Sequence, residues 1–360
     1  MELVDLRYLR GYFLPKSLRT RLTIGTFIRD LKRYGIYKEV QKKYLATSRE
    51  KLVTRDSKRA WKFINEQKYD LIVVGSDTIL QFLPYHFRQD SVPPYCLPPE
   101  INCKKAMCAA SAGVLTLDQL SSNQRRAVEK SINSFDLVSL RDDSTFALMR
   151  DLGVKDESKL EMVADPTFAY DIDYTCREKV VQERNIDFSK PTVLLHLWRF
   201  FKLAAELAAY YKSKGFQVLL LDPARYGDLC LSDISPFEWA GIFRDCRLVV
   251  TGRFHDTLFS LKNLTPVVSV ACHKSVVTKN GLSKYFSLLK LFGLHNTNYI
   301  DGVGMNDIDH VIQITDNAMH NFDKQSVKQR LIQLTDQFNA FADKIANLIT
   351  KTSSNCVMRA

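Results

Sequence analysis

The sequence predicts an α/β protein built from two doubly wound, Rossmann-like halves. Short apolar runs such as YDLIVVG (Tyr69 to Gly75), TVLLHL (Thr192 to Leu197) and QVLLLD (Gln217 to Asp222) alternate with helical patterns. Such continuous runs mark strands buried on both faces of a parallel sheet. Most end in Gly, Ser, Asp or Arg, the residues of a polar loop at a sheet edge. The alternation breaks once, at the polar stretch from Asp171 to Lys190, and then restarts.

Taken in order, Glu2 to Leu6 forms a short strand, and the charged stretch from about Arg19 to Gln67 reads as helices. Tyr69 to Gly75 is a strand stopped by Ser76-Asp77. The five prolines between residues 81 and 102 predict an irregular loop. Lys105 to Ala110 is a strand ending at Ser111-Ala112-Gly113. A helix over Ser121 to Asn133 precedes a strand over Phe135 to Leu140, which ends at Arg141-Asp142. Ser144 to Leu152 is a helix closed by Gly153, and Leu160 to Val163 leads to Asp165-Pro166-Thr167. Beyond the break come a strand over Thr192 to Leu197, a helix over Phe201 to Lys214, a strand over Gln217 to Asp222 and a helix over Pro236 to Asp245. Asn306 to Thr350 is helical, and its last helix is expected to pack across a domain face. These elements divide the chain into an N-terminal domain (1–172), a C-terminal domain (190–325) and a terminal helix (326–350).

The 360-residue chain is 46% hydrophobic with few Gly and Pro, which excludes a disordered or fibrous protein. Eight cysteines show no C-x-x-C pairing, so they read as reduced, mostly buried thiols of a cytoplasmic protein. Their spacing gives no support for a metal site. No apolar run reaches the length of a membrane span, and no signal peptide opens the chain. The net charge of +11 is concentrated: residues 7–51 hold 13 Lys or Arg against 3 Asp or Glu, and the remainder is nearly neutral. That basic segment is rich in Tyr, Phe, Leu and Ile. It suits an anionic membrane surface at the inner face of the plasma membrane. A solvated basic face is the alternative; nucleic acid is not expected.

The segment from Leu248 to Val270, LVVTGRFHDTLFSLKNLTPVVSV, carries the most chemistry. A strand, a turn at Thr251-Gly252 and a helix opening at Arg253-Phe254-His255 place free N–H groups at the carboxyl edge of the sheet. Open α/β sheets bind ligands there, and helix N-termini attract anions. An arginine grips a carboxylate or phosphate in two places, and a histidine two residues on moves a proton.

Five polar loops follow strands: Gly75-Ser76-Asp77, Ser111-Ala112-Gly113, Arg141-Asp142, Asp165-Pro166-Thr167 and Arg253-Phe254-His255. With DLIVVGSD, AASAG, SLRDDST, DPT and R-F-H in this order, the chain resembles the polysaccharide pyruvyltransferase family over roughly Asp70 to Leu294. The resemblance implies a two-domain fold like the glycosyltransferase type B arrangement. It also implies transfer of a pyruvyl group from phosphoenolpyruvate to a sugar, closing a ketal on two hydroxyls. By motif, Arg253 and His255 contact phosphoenolpyruvate and Arg141 is a second anion ligand. Lys274 falls where a basic residue is common, and Ser76 and Ser111 complete the donor site. His255 is the acid that protonates the methylene carbon. Asp77 or Asp165 serves as base or orienter for the hydroxyl, and neither a cofactor nor a metal is required.

The chain departs from that pattern in two places. Glu2 to Arg7 looks like the family's second strand, so the first strand is expected to be missing. Asp256 stands where a small residue is common, and beside an anion it must point away or pair with Arg253. Two other functions fit the same fold. One is glycosyl transfer from a nucleotide sugar. The other is a non-catalytic role in surface-polysaccharide assembly. The acceptor is a sugar of a polysaccharide or of its lipid-linked precursor.

Overall fold

The computed structural model describes residues 3–7, 24–154, 156–197, 200–271, 283–301 and 307–357. Strand β1 (Leu3–Arg7), helix α1 (Ile24–Tyr44), strand β2 (Thr47–Val53) and helix α2 (Ser57–Glu66) open the chain. β1 and β2 pair in parallel as a two-stranded sheet. β2 lies inside the stretch that reads as helical in the sequence. Its side chains are mostly exposed and charged, so the apolar period that identifies a buried strand is absent.

A four-stranded parallel sheet follows in chain order: β3 (Leu71–Gly75), β4 (Lys104–Ala110), β5 (Leu137–Leu140) and β6 (Leu160–Met162). Between them run α3 (Pro84–Gln89), α4 (Ser122–Asn133) and α5 (Asp143–Asp151). The caps are those the residue types favour. Ser121 accepts from Gln124 N–H at the start of α4, and Asp142 accepts from Thr145 N–H at the start of α5. The stretch expected to be irregular holds α3, because Pro84 stands at its first turn, where a missing N–H costs nothing. The polar break contains α6 (Tyr174–Glu183), capped by Asp173, with Val180 its buried residue.

The C-terminal sheet has six parallel strands: β7 (Thr192–His196), β8 (Gln217–Leu220), β9 (Leu229–Cys230), β10 (Leu248–Thr251), β11 (Val267–Ala271) and β12 (Tyr299–Asp301). Their order is β12-β11-β10-β7-β8-β9. The chain starts in the middle, runs outward through β8 and β9, and returns to β10 on the other side of β7. The direction therefore reverses between β7 and β10, the point where open sheets leave a crevice. β12 went unread in the sequence because three residues give no period.

Successive residues of these strands face opposite sides. Val193, Leu195, Val218, Leu220, Val250 and Val268 pack against α7 (Phe201–Ser213). Leu194, Leu219, Val249 and Val267 belong to the core of the other side. That core includes α8 (Pro236–Gly241), α9 (Phe254–Lys262) and α10 (Lys284–Lys290). Helix α11 (Ile308–His320) joins the α7 side through Val311 and Ala318. The last helix, α12 (Lys324–Val357), ties both sheets. Its Arg330 Nε donates to Leu291 O at 2.8 Å near α10, and Lys344 meets Glu161 of β6 at 2.7 Å.

Candidate active site

The carboxyl edges of the two sheets bring polar residues from both halves together. At the end of β3, Gly75 leaves no room for a side chain: a Cβ there would lie 2.2 Å from Cys108 O of β4. This close approach seats the following loop on the sheet. Asp77 O accepts from Ser111 N–H at 3.2 Å. Ser111 itself is fully buried, and its Oγ accepts from Gly113 N–H at 3.0 Å. Ser111 thus builds the loop, while Ser76 is half-buried beside Asp77.

Arg141, just past β5, has a side chain only 2% exposed. One terminal nitrogen donates to Asp165 Oδ2 at 2.5 Å, and the other donates to Asp77 Oδ1 at 2.8 Å. Asp165 is held in turn by Thr167, whose N–H and hydroxyl donate to Oδ1 at 3.0 and 2.6 Å. Both terminal nitrogens of Arg141 are therefore engaged by carboxylates. Its Nε–H has no partner and is buried. The guanidinium lies 4.6 Å from the ring centre of Phe254, on the first turn of α9, so one arginine from the N-terminal half reaches the C-terminal half.

A cleft forms at this junction, lined by Arg141, Asp142, Asp165, Phe254, Lys284 and Leu288 among others. Lys284 Nζ is 5.4 Å from the Phe254 ring centre. Burial pushes the Lys284 ammonium below the ordinary lysine range, partly offset by Asp77. Burial also works against the charge of Asp77. Arg141 and Lys284 outweigh it and hold the carboxyl below its usual value.

Arg253 occupies the N-cap of α9 in an extended conformation and supplies no side-chain cap. Its N–H donates to Thr251 Oγ1 at 3.0 Å. His255 follows on the first turn, half-buried, its ring edge-on to Phe254 at 5.4 Å. Tyr285 of α10 donates to Gly252 O at 2.8 Å, clamping the turn that carries both residues.

Asp256, on the first turn of α9, is fully buried. It accepts from Trp239 Nε1 at 3.0 Å and from Thr251 Oγ1 at 2.7 Å, and it meets His196 Nδ1 at 2.5 Å. Asp256 therefore pairs inside the domain, with His196 rather than Arg253. His196 Nε2 lies 3.5 Å from Asp222 Oδ1, so this histidine sits between two carboxylates.

Of the residues picked out in the sequence, Asp77, Arg141 and Asp165 form one hydrogen-bonded group, and Ser111 supports it. Arg253 and His255 share the first turn of α9, whose Phe254 touches that group. Lys274 lies outside the described residues. Lys284, His196 and Asp222 were missed. His196 and Asp222 each end a strand run (VLLH, LLLD), the same signal that singled out the other loops. Lys284 carries no local signal, since only packing brings it to Phe254.

Two parallel sheets with their polar groups gathered at facing carboxyl edges define an α/β protein of the glycosyltransferase type B arrangement. Among solved structures, the chain is similar to a sucrose-phosphate synthase from Thermosynechococcus elongatus, at 13% identity and a TM-score of 0.50 over 86% of this chain and 82% of that one. It is also similar to a UDP-GlcNAc 2-epimerase from Methanocaldococcus jannaschii, at 11% identity and a TM-score of 0.51 over 93% and 99%. At this identity the likeness shows the fold alone. No curated protein sequence matches the chain. The model of the polysaccharide pyruvyl transferase family matches residues 6–274, and the chain belongs to that family.

Proposed function

We propose that the protein transfers a pyruvyl group from phosphoenolpyruvate to a sugar of a surface polysaccharide or its lipid-linked precursor, forming a pyruvate ketal. The observation that carries this reading is the N-terminus of α9, which no side chain caps and which bears Arg253 and His255 beside the cleft of Lys284. Phosphoenolpyruvate has a carboxylate and a phosphate. Helix N–H groups and the Arg253 guanidinium suit one of them, and the Lys284 ammonium suits the other. Arg141 adds its Nε–H and the positive face that its stacking on Phe254 fixes. Asp165 and Asp77 hold that guanidinium in place. Ser76 and Ser111 shape the loop that carries Asp77, and Lys274 is assigned to the donor site by motif alone.

The chemistry balances with these groups. His255 gives a proton to the methylene carbon of the donor, and C2 becomes electrophilic. One sugar hydroxyl adds to C2 and loses its proton. The C2–O bond to phosphate then breaks, with the electron pair leaving on phosphate. A second hydroxyl adds to C2 and loses its proton, closing the ketal. Of the two protons released, one restores His255 and one leaves with phosphate.

Among the described residues no helix is long and apolar enough to cross a membrane. Lipid-linked acceptors place the reaction at a membrane surface, and the basic segment over residues 7–51 is proposed to hold the protein there.

Calorimetric titration with phosphoenolpyruvate, comparing wild type with Arg253→Ala, tests the donor assignment. Saturable binding that the variant loses supports it. A well-folded wild type that binds a nucleotide sugar and not phosphoenolpyruvate would replace it with glycosyl transfer.

A further inference from the structure

The strand ends at the reversal of the C-terminal sheet carry a second group of polar residues that the donor chemistry leaves unused. His196 ends β7, and Asp222 follows β8. Asp222 is 2% exposed, and its Oδ2 has no hydrogen-bond partner. The hydroxyl of Tyr226, on the loop after β8, is also buried and unpartnered. Gly227 presses this loop against β8, since a Cβ there would meet the Leu220 side chain at 2.5 Å. Burial raises the Tyr226 phenol to about 12, and the nearby charge of Asp222 pushes the same way. Two buried oxygens without partners, close enough for the Asp222 charge to act on Tyr226, are costly unless a ligand or water meets them.

The chemistry of the group selects the ligand. An unpartnered carboxylate oxygen requires a hydrogen-bond donor. Asp222 and the buried Asp256, joined through His196, repel an anion. The nearby Arg253 disfavours a cationic amine, as its charge is felt at Asp222. A neutral polyol remains: its hydroxyls donate to Asp222 and exchange hydrogen bonds with Tyr226. Arg253 connects the two regions, because its charge acts on both Lys284 and Asp222. A donor anion held on one side of Arg253 would present its reacting carbon to a hydroxyl held on the other.

We propose that Asp222 and Tyr226, with His196 positioning the carboxylate, form the acceptor subsite: they bind a sugar diol, and Asp222 takes the proton of the hydroxyl that adds to C2 of the donor. The inference rests on the pyruvyl-transfer reading. In the step, the hydroxyl O–H bond breaks, the new bond forms between that oxygen and C2, and the proton passes to Asp222. Burial raises the Asp222 carboxyl above its ordinary value, while His196 and Arg253 pull it back, so it accepts a proton more readily than a solvated aspartate.

The test is saturation-transfer NMR with methyl glycosides of glucose, galactose, mannose and N-acetylglucosamine, run on wild type, Asp222→Asn and Tyr226→Phe. Calorimetry with phosphoenolpyruvate is done on the same preparations. At least one glycoside is expected to bind the wild type. Its affinity should fall about tenfold in Asp222→Asn, the loss of a charge-assisted hydrogen bond, and less in Tyr226→Phe. Phosphoenolpyruvate affinity should stay the same. Thermal melts check folding, and Asn at a site where burial disfavours the carboxylate should preserve or raise the melting temperature. Equal glycoside binding by all three proteins, or no glycoside bound by the wild type, overturns the subsite. So does loss of phosphoenolpyruvate binding in a folded Asp222→Asn, which would assign the pair to the donor. Glycoside binding that depends on Asp222 in a protein that ignores phosphoenolpyruvate would sink only the pyruvyl-transfer reading.

Discussion

At Arg141, two carboxylates occupy the nitrogens that an anion would otherwise take. Under the proposed function the donor's charge then falls chiefly to Arg253 and Lys284, with Arg141 adding its Nε–H. Lys284→Ala is expected to raise the dissociation constant for phosphoenolpyruvate about 10- to 100-fold, the range of a hydrogen bond to a charged group. Calorimetry checks this, and an unchanged constant would remove Lys284 from the donor site. His255→Ala should leave that binding largely intact and lower kcat by roughly 10²- to 10⁴-fold, the usual worth of a general acid. A loss confined to binding would make His255 a ligand and not the acid. The R-F-H pattern singled out Arg253 and His255 in the sequence, and both stand at the start of α9. Asp256 was legible only as a conflict, because nothing local indicates that Trp239, Thr251 and His196 would converge on its side chain.

Elements show why particular residues are irreplaceable. Gly75 ends β3 against the backbone of β4, so Gly75→Ala must push the strands apart. Overpacking of this kind costs about 1–3 kcal/mol, and urea unfolding reads it directly. A variant as stable as wild type would show that the loop carrying Asp77 is not held by this contact. Helix α3 gives a pH prediction. His86 is fully buried, its Nδ1 accepts from Leu83 N–H at 2.8 Å, and burial lowers its pKa from 6.5 to about 4. The folded histidine stays neutral where the unfolded one binds a proton. Stability is therefore lost as pH falls from about 6.5 to about 4, by up to roughly 3 kcal/mol. His86→Asn keeps an acceptor for Leu83 and should flatten that part of the stability profile. An identical slope in the variant would assign the acid sensitivity to other groups. α3 itself was hidden in the sequence by its prolines, since Pro84 both starts the helix and looks like a breaker.

For the whole molecule, α1 and the long terminal helix bridge the two halves. Lys32 of α1 pairs with Asp233 at 2.9 Å, and Tyr44 packs edge-on to Phe237 at 4.7 Å, so α1 leans on the C-terminal half. Leu31, Tyr34 and Tyr37 remain exposed beside Arg33. Replacing Arg19, Arg21, Arg29, Lys32 and Arg33 with glutamine should release the protein from phosphatidylserine-containing vesicles. Each basic residue near such a surface is worth about 1 kcal/mol. Flotation measures this, and unchanged flotation would leave the segment without a membrane role.

By itself the sequence determined the alternation of strands and helices, the family, and the polar residues that end each strand. These are local properties: an apolar run buried on both faces has a composition that can be read, and a strand end needs a polar loop. Only the tertiary structure decided which of these ends share one crevice. The reversal between β7 and β10 sets His196 beside Asp256 and Asp222, residues far apart in the chain. Packing of α9 and α10 on the C-terminal sheet sets Phe254 against Arg141 of the N-terminal half, with Lys284 beside the same ring. Burial changes the charge preference of Lys284 and Asp222, and burial belongs to the assembled core, not to any stretch of sequence.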